Sequence, residues 1–297
     1  MMVSYIYSFG QHEGRVSARN HPQRNQKSAR CSAAPAVLFA LLIIILVAFS
    51  AYSFSARAFR APPPITTPGA ALDHQYNLTL YVTGIAFILV QLALAIAVFR
   101  FRDRGQRARF SRGNNAAEII WTSVTIVVFI VLAFLGRKVW AESRLASPTA
   151  NAIRIEVTTS QFVYNFRYPG ADGKFGRIDP SQISAATGNP LGLDASDPAG
   201  KDDIVAPELT VPVDRPVELL IRSQDVVHNF FVRELRLQQD AVPGLTIPLQ
   251  FTANRTGRYE IVCTQLCGLG HSRMRSFLNV VPEAGYEQFL KQQAAAQ

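Results

Sequence analysis

The sequence predicts a membrane-anchored all-β protein, with apolar helices in its first half and a β-sandwich or barrel in its second half. Two observations lead to this prediction. Three charge-free segments of about 18–22 residues are long enough to cross a bilayer. From about residue 150 onward, short segments that alternate apolar and polar residues are separated by Gly, Pro and Asp, as is typical of β-sandwiches.

The charge of the chain is distributed unevenly. Residues 1–140 contain 15 Lys+Arg against 4 Asp+Glu, a formal balance of +11, whereas residues 141–297 contain 15 against 17, a balance of −2. The basic excess therefore lies beside the apolar segments, as in cytoplasmic flanks of membrane helices. A nucleic-acid-binding protein is expected to carry a basic patch on its folded domain, so we expect no nucleic-acid partner.

The apolar segments cover residues 36–54, 78–99 and 119–136. A basic tail precedes the first segment, and the arginine-rich stretch 100–112 separates the second from the third. The positive-inside rule places both basic stretches in the cytoplasm. We therefore expect a multi-pass protein of the cell (inner) membrane, with everything after residue 137 in the periplasm or other extracytoplasmic space.

The first apolar segment has two interpretations. Residues 1–35 and 36–56 form either a cytoplasmic tail and a transmembrane helix, or the basic and apolar regions of a signal peptide. Ala56-Arg57-Ala58 matches a small-x-small cleavage site. Both interpretations leave the later topology unchanged. A mature N-terminus near residue 59 would exclude the retained helix.

The second half is predicted to form one β domain over residues 150–285, after a helical hairpin over 75–140 and before a C-terminal helix or tail over 286–297. Residues 170–206 read as a long irregular loop, with Asp194, Asp197, Asp202 and Asp203 as a solvated acidic surface rather than a cation site. The predicted strands are 153–157, 162–168, 217–221, 230–232, 259–263 and 277–281, and the predicted terminal helix is 287–293.

The chemistry is concentrated in the stretch CTQLCGLGHSRM, which places Cys263, Cys267, His271 and Met274 in one loop, with His228 upstream. Thiolate and thioether are soft ligands and imidazole suits copper, so this set favours copper over calcium, magnesium or manganese. A mononuclear blue-copper site needs one Cys, whereas this loop offers two. Two thiolates that bridge a pair of copper ions, each with one His, would use the whole set. The alternative is a disulfide between the two cysteines, since the domain faces an oxidising compartment.

This loop resembles the dinuclear copper site of cytochrome c oxidase subunit II, whose pattern is C-x-E-x-C-G-x-x-H-x-x-M. The stretches DVVH at 225–228 and DAVPG at 240–244 are also similar to that family, and the resemblance covers about residues 75–285. It implies a cupredoxin-like sandwich that binds two copper ions. The implied ligands are the side chains of His228, Cys263, Cys267, His271 and Met274, and the backbone carbonyl of Gln265.

Three departures suggest a divergent branch of the family. Gln265 replaces a Glu whose side chain contributes to a magnesium site at the interface with subunit I, so magnesium binding is in doubt. The family's Q-W-x-W stretch reads Gln161-Phe162-Val163-Tyr164. Phe162 or Tyr164 would then replace the Trp that receives electrons, unless both only pack a strand. The N-terminal apolar segment is additional to the two-helix pattern.

Glu118 also has two interpretations. The resemblance implies a role in proton uptake towards subunit I. Alternatively, Asn115 and Glu118 have the spacing of a capping box, and an acid in the first helical turn is stabilised by the helix dipole.

The resemblance implies an electron-accepting subunit of a terminal oxidase. We expect it to pass electrons from cytochrome c to a haem-copper subunit I, in lipid and together with subunit III, with oxygen chemistry confined to the partner. Two alternatives stay open: a copper subunit of a membrane nitric oxide reductase, and a membrane-tethered copper carrier that catalyses nothing.

Overall fold

The computed structural model describes residues 33–55, 61–102, 104, 110, 113–144, 149, 151–184 and 186–296. In this part of the chain, three long helices precede a β domain, and a fourth helix follows it. Several stretches named above lie outside the described residues: residues 1–32 of the basic tail, the Ala56-Arg57-Ala58 motif, and part of the arginine-rich stretch 100–112.

The first three helices are α1 (Ala34–Ser55), α2 (Thr67–Arg100) and α3 (Asn115–Arg144), with 22, 34 and 30 residues. At about 1.5 Å per residue, each is long enough to cross a bilayer, and each has the apolar composition that this requires. The small side chains of Ala40 and Ala95 allow α1 to approach α2 closely, with Ile43 buried beside them. The three predicted apolar segments are therefore confirmed as helices long and apolar enough to cross a membrane, and the first still fits either a signal peptide or a retained helix.

The N-terminus of α3 corrects one prediction. Asn114 caps this helix, because its side-chain oxygen accepts from the amides of Ala116 and Ala117 at 3.1 and 3.2 Å. The capping box predicted for Asn115 and Glu118 is wrong by one residue, since the capping oxygen must come from the residue before the first helical one. Glu118 is exposed on the first turn, and its own amide donates to the Asn114 carbonyl.

The β domain is a sandwich of two five-stranded sheets, as predicted. Sheet I has the order β3-β2-β1-β5-β8, and sheet II has the order β4-β10-β9-β6-β7. Pairs β1–β5 and β4–β10 are parallel, and the other pairs are antiparallel. The strands are β1 (Ile153–Ser160), β2 (Val163–Tyr168), β3 (Ile204–Ala206), β4 (Leu209–Pro212), β5 (Pro216–Ser223), β6 (His228–Val232), β7 (Leu237–Ala241), β8 (Ile247–Thr252), β9 (Gly257–Val262) and β10 (Arg275–Val281).

The core lies between the sheets. Sheet I contributes Val157 and Leu219 to it, and sheet II contributes Phe230 and Leu278, all fully buried. All six predicted strands are confirmed. Four were missed, because β3 and β4 are too short to show a period and β7 and β8 carry polar residues or proline. The terminal helix α4 (Glu283–Ala296) is longer than predicted.

The long loop before β3 is only partly the solvated acidic surface that the sequence predicted. Asp194 pairs with the exposed Arg177 at 3.0 Å, as a surface residue does. Asp203 is instead buried, because the guanidinium of Arg167 pairs with it and also lies 3.0 Å from Glu156. These bonds hold the loop against the outer face of sheet I.

The segment just before α2 is built into the β domain. Ile65 is 1% exposed and belongs to the sandwich core. Its amide donates to the Glu234 carbonyl at 2.9 Å, and its carbonyl accepts from the Asn254 amide at 2.8 Å. Arg236 donates to both carboxylate oxygens of Asp73 on α2, at 2.7 and 2.9 Å. The membrane anchor and the β domain are therefore joined by core packing and an ion pair.

Replacing Ile65 with Ala should destabilise the β domain by about 2–5 kcal/mol, because the change leaves a cavity in the core. The free energy of unfolding of the full chain in detergent measures the effect. Ile183→Ala is the matched control, since Ile183 is 41% exposed on the long loop and should change stability little. Equal stability of both variants would show that the anchor segment is not part of the core.

Candidate metal centre

The cysteine–histidine–methionine loop connects two neighbouring strands of sheet II. It begins with Cys263 directly after β9 and ends with Met274 directly before β10. The Cys263 amide donates to the Met274 carbonyl at 3.2 Å, which closes the loop at its base. A single helical turn over His271–Arg273 directs the chain back towards the sheet. His228 begins β6, which lies beside β9, so the upstream histidine is brought to the same end of the sheet.

The predicted ligands converge. Cys267 Sγ lies 3.8 Å from Cys263 Sγ, 3.7 Å from His271 Nδ1 and 3.9 Å from Met274 Sδ. Candidate ligand atoms of His228, Cys263 and Cys267 all lie within 4.8 Å of one another, so these three buried residues could hold a metal ion. The two thiols are free, because a disulfide needs sulfur atoms about 2.05 Å apart. This geometry argues against the disulfide interpretation.

His228 has one bonded and one available ring nitrogen. Its Nε2 lies 2.7 Å from a carboxylate oxygen of Asp225. Its Nδ1 is buried and has no hydrogen-bond partner in the described part of the chain. A carboxylate that accepts from Nε2–H leaves the lone pair on Nδ1, which is the arrangement found in histidine metal ligands. His228 therefore presents a buried ligand atom that a metal ion would satisfy.

The Asp225 carboxylate is suited to hold this imidazole. Burial acts to raise its pKa, but hydrogen bonds from His228 and from the Gln161 and Val226 amides outweigh burial and lower the pKa below its usual range. Asp225 therefore stays ionised at neutral pH and accepts the Nε2 proton.

The Cys267 thiol needs a nearby positive charge to ionise at neutral pH. Burial, together with Cys263 and Asp225 nearby, raises the pKa of Cys267 to about 11. A bound metal cation would supply that charge and favour the thiolate. The Cys263 thiol donates to the Gln265 carbonyl at 3.1 Å, so this backbone oxygen also points into the cluster. The soft sulfur donors, imidazole and carbonyl together suit copper.

The turn between β1 and β2 packs against the cysteine–histidine–methionine loop (residues 263–274), which we call the metal loop. Phe162 in this turn is half-buried, and a Cβ at position 270 would lie 2.3 Å from its ring. A Cβ at position 268 would lie 2.8 Å from Gln161 Nε2. Gly268 also has φ +133°, which side-chain-bearing residues rarely adopt. The close approach of the turn explains why both positions are glycine, and the positive φ is an additional reason at Gly268 only.

Tyr164 lies beneath the cluster. It is 3% exposed, and its hydroxyl donates to the Asn229 carbonyl at 2.7 Å. Burial, followed by the nearby thiols, raises the pKa of Tyr164 far above its usual value. The Asn229 side chain accepts from Thr264 at 2.7 Å and donates to Asp240 at 2.7 Å. These bonds join β6, β7 and the metal loop.

Sequence reasoning predicted a ligand set whose members the structure brings together, and it missed the residues that support them. Gln161, Asn229 and Thr264 carried no local signal in the sequence. Their contacts join residues that are 26 to 106 positions apart, which is beyond the length of any single strand pattern. Asp225 could have been found, since an acid three residues before a ligand histidine can reach its ring. Glu118 lies on α3 and is not part of the cluster.

Gly270→Ala should displace the metal loop, because the new methyl group overlaps the Phe162 ring; we expect a cost of about 1–3 kcal/mol in stability and weaker copper retention. Gly270 has φ −91°, so backbone strain does not contribute. Copper retained after dialysis measures the effect. The double variant Phe162→Ala/Gly270→Ala should recover retention, and Gly84→Ala, where a Cβ meets nothing within 4 Å, is the control. Unchanged retention in Gly270→Ala would contradict the packing argument.

Two family models match the chain. "Cytochrome C oxidase subunit II, periplasmic domain" matches residues 201–281, and "Cytochrome C oxidase subunit II, transmembrane domain" matches residues 63–139. The chain is 36% identical over 256 residues to the alternative cytochrome c oxidase subunit 2 of Bradyrhizobium diazoefficiens, covering 85% of this chain and 91% of the relative. It is 25% identical over 282 residues to the cytochrome c oxidase subunit 2 of Synechocystis, covering 88% and 84%.

Among solved structures, the periplasmic domain of cytochrome oxidase subunit II from Bradyrhizobium japonicum is similar at 24% identity and a TM-score of 0.38, covering 51% of this chain and 99% of that chain. The two family models together span more than half of the chain, over both the membrane hairpin and the β domain. With the relative at 36% identity, they show that this chain belongs to the cytochrome c oxidase subunit II family.

Proposed function

We propose that this chain is the electron-accepting subunit of a cytochrome c oxidase, an oxidoreductase complex. In this proposal it receives electrons from cytochrome c and passes them through a dinuclear copper centre to a haem-copper subunit that reduces oxygen to water. The copper ligands are the side chains of His228, Cys263, Cys267, His271 and Met274, with the backbone carbonyl of Gln265.

The observation that carries the proposal is the buried Nδ1 of His228, which lies beside two free thiols and has no partner in the described part of the chain. Leaving a buried polar atom unpaired costs about 1–3 kcal/mol. The site is therefore costly unless a metal ion occupies it. Two thiols and two imidazoles provide enough donors for a pair of ions bridged by sulfur.

Two bridged copper ions would carry one electron at a time, with its charge spread over both metals. The residues of the chain provide rigidity around them. Asp225 fixes the His228 ring, Phe162 fills the space beside Gly270, and the Asn229 side chain joins Thr264 to Asp240. A site held by packing and hydrogen bonds rearranges little when its charge changes, which suits rapid electron transfer.

The donor is proposed to dock on the extracytoplasmic side near the β1–β2 turn. Tyr164 is buried, whereas Phe162 is half-buried and packs against the metal loop. Of these two residues, Phe162 is therefore the better candidate for contact with a docked cytochrome c. The partners in the membrane would be subunit I, subunit III and lipid. Gln265 replaces a Glu at the proposed interface with subunit I, and its neutral amide disfavours magnesium binding there.

The alternatives receive less support. A copper carrier releases its metal readily, whereas four proposed ligand residues here are buried and are supported by bonds from several strands: His228, Cys263, Cys267 and Met274. A nitric oxide reductase could use the same copper module, but the relatives described above are named as oxidase subunits.

Copper analysis and low-temperature electron paramagnetic resonance of the full chain in detergent test the proposal. We expect two copper ions per chain and one unpaired electron shared between them. Cys267→Ser should abolish this signal, whereas Cys31→Ser should retain it, because Cys31 precedes the β domain. A single blue copper, or a disulfide with no metal, would overturn the bridged pair and favour the carrier.

The proton-uptake role of Glu118 stays a prediction and needs its own test. Glu118→Gln removes the titratable group and should slow oxygen turnover of the assembled oxidase, while its copper content stays unchanged. Glu142→Gln near the opposite end of α3 is the control. Normal turnover in Glu118→Gln would end the proton-uptake interpretation and leave Glu118 as a helix-terminal acid.

A further inference from the structure

Gln161 bonds to both sides of the metal cluster. Its side-chain amide donates to the Cys267 carbonyl at 2.7 Å. Its backbone amide donates to one carboxylate oxygen of Asp225, also at 2.7 Å. The other carboxylate oxygen of Asp225 lies 2.7 Å from Nε2 of His228. A continuous path of hydrogen bonds therefore runs from Cys267 through Gln161 and Asp225 to His228.

The path crosses the sandwich. Gln161 lies in the turn between β1 and β2 of sheet I, whereas His228 begins β6 of sheet II. Cys267 lies in the loop after β9, also of sheet II. The two candidate ligands lie at the same end of sheet II, His228 at the start of a strand and Cys267 in a loop. Gln161 connects them through a turn whose own position is set by the opposite sheet.

The contact between Gln161 and the metal loop is close. A Cβ at Gly268, next to Cys267, would lie 2.8 Å from the Gln161 side-chain nitrogen and 3.2 Å from the Phe162 ring. The loop therefore leaves space for the amide only because position 268 is glycine. A glutamine side chain that only lay near the loop, without bonding to it, would not need a glycine at position 268.

We propose that Gln161 is a positioning residue of the metal centre, which fixes the separation between Cys267 and His228. The inference rests on the proposed copper centre. Gln161 contacts no predicted ligand atom itself, so it acts through the Cys267 backbone and through Asp225. Its side-chain bond restrains the metal loop, and its backbone bond orients the carboxylate that holds the His228 ring.

Two variants separate the side-chain bond from the rest of the path. Gln161→Leu removes the amide donor, and Gln161→Glu keeps the length of the side chain but presents a carboxylate that cannot donate when ionised. Both retain the backbone bond to Asp225. Removing a hydrogen bond that orients a metal ligand typically weakens binding about 10–100-fold. We expect the rate of copper loss to a chelator to rise about tenfold in both variants of the full chain.

The electron paramagnetic resonance spectrum provides the second readout. If Gln161 positions the ligands, the copper hyperfine pattern of both variants changes, because the two metals become less equivalent. Thermal unfolding of the metal-free chain, which reports on folding alone, should change little. Gln182→Leu is the control. The Gln182 side chain is also exposed and its amide donates to Asp179 at 3.0 Å, but both residues lie in the long loop before β3 and not in the metal loop.

The outcomes distinguish this inference from the proposed function. A wild-type chain that holds a copper pair, together with Gln161 variants that match it in copper loss and spectrum, overturns the positioning role and leaves the function intact. A wild-type chain that holds no copper pair overturns both. Faster copper loss in the Gln182 variant as well would show a general effect of removing surface amides and would also reject the inference.

Discussion

The candidate metal centre depends on one physical constraint, the burial of candidate ligand atoms that the described part of the chain does not fully satisfy. His228 Nδ1 is enclosed without a partner in the described part of the chain, and burial helps to raise the pKa of the Cys267 thiol to about 11. The unpaired nitrogen disfavours the metal-free site, and a bound cation would satisfy it. A cation would also favour the Cys267 thiolate, with release of the thiol proton. The hydrogen bond that His228 Nε2 donates to Asp225 makes the unsatisfied nitrogen point inwards rather than towards the carboxylate.

That constraint explains why both sheets contribute to the site. Sheet II supplies the candidate ligands, from the start of β6 and from the loop between β9 and β10. Sheet I supplies the β1–β2 turn, whose Gln161 and Phe162 occupy the space that a side chain at Gly268 or Gly270 would need. The loop can therefore approach the turn only because positions 268 and 270 are glycine. The turn restrains the loop through the bond from Gln161 to the Cys267 carbonyl.

The same domain is fixed to its membrane anchor. β6 begins with His228 and ends at Val232, and the turn that follows holds Arg236, which pairs with Asp73 on α2. A five-residue strand spans about 16 Å, so one short, buried strand separates the metal ligand from the anchor joint. With Ile65 in the core and Asp73 paired with Arg236, packing and an ion pair set the position of the site relative to α2.

The sequence by itself determined the apolar helices and the sandwich class, and it predicted the candidate ligands, because hydrophobic period and ligand spacing are local properties. Cys263, Cys267, His271 and Met274 lie within twelve residues of one another. Only the tertiary structure decided which other residues support them. Gln161 meets Cys267 across 106 residues, Ile65 enters the core from before α2, and Asp203 pairs with Arg167 on the outer face of sheet I. Such contacts depend on how strands from different parts of the chain pair, which no local pattern specifies.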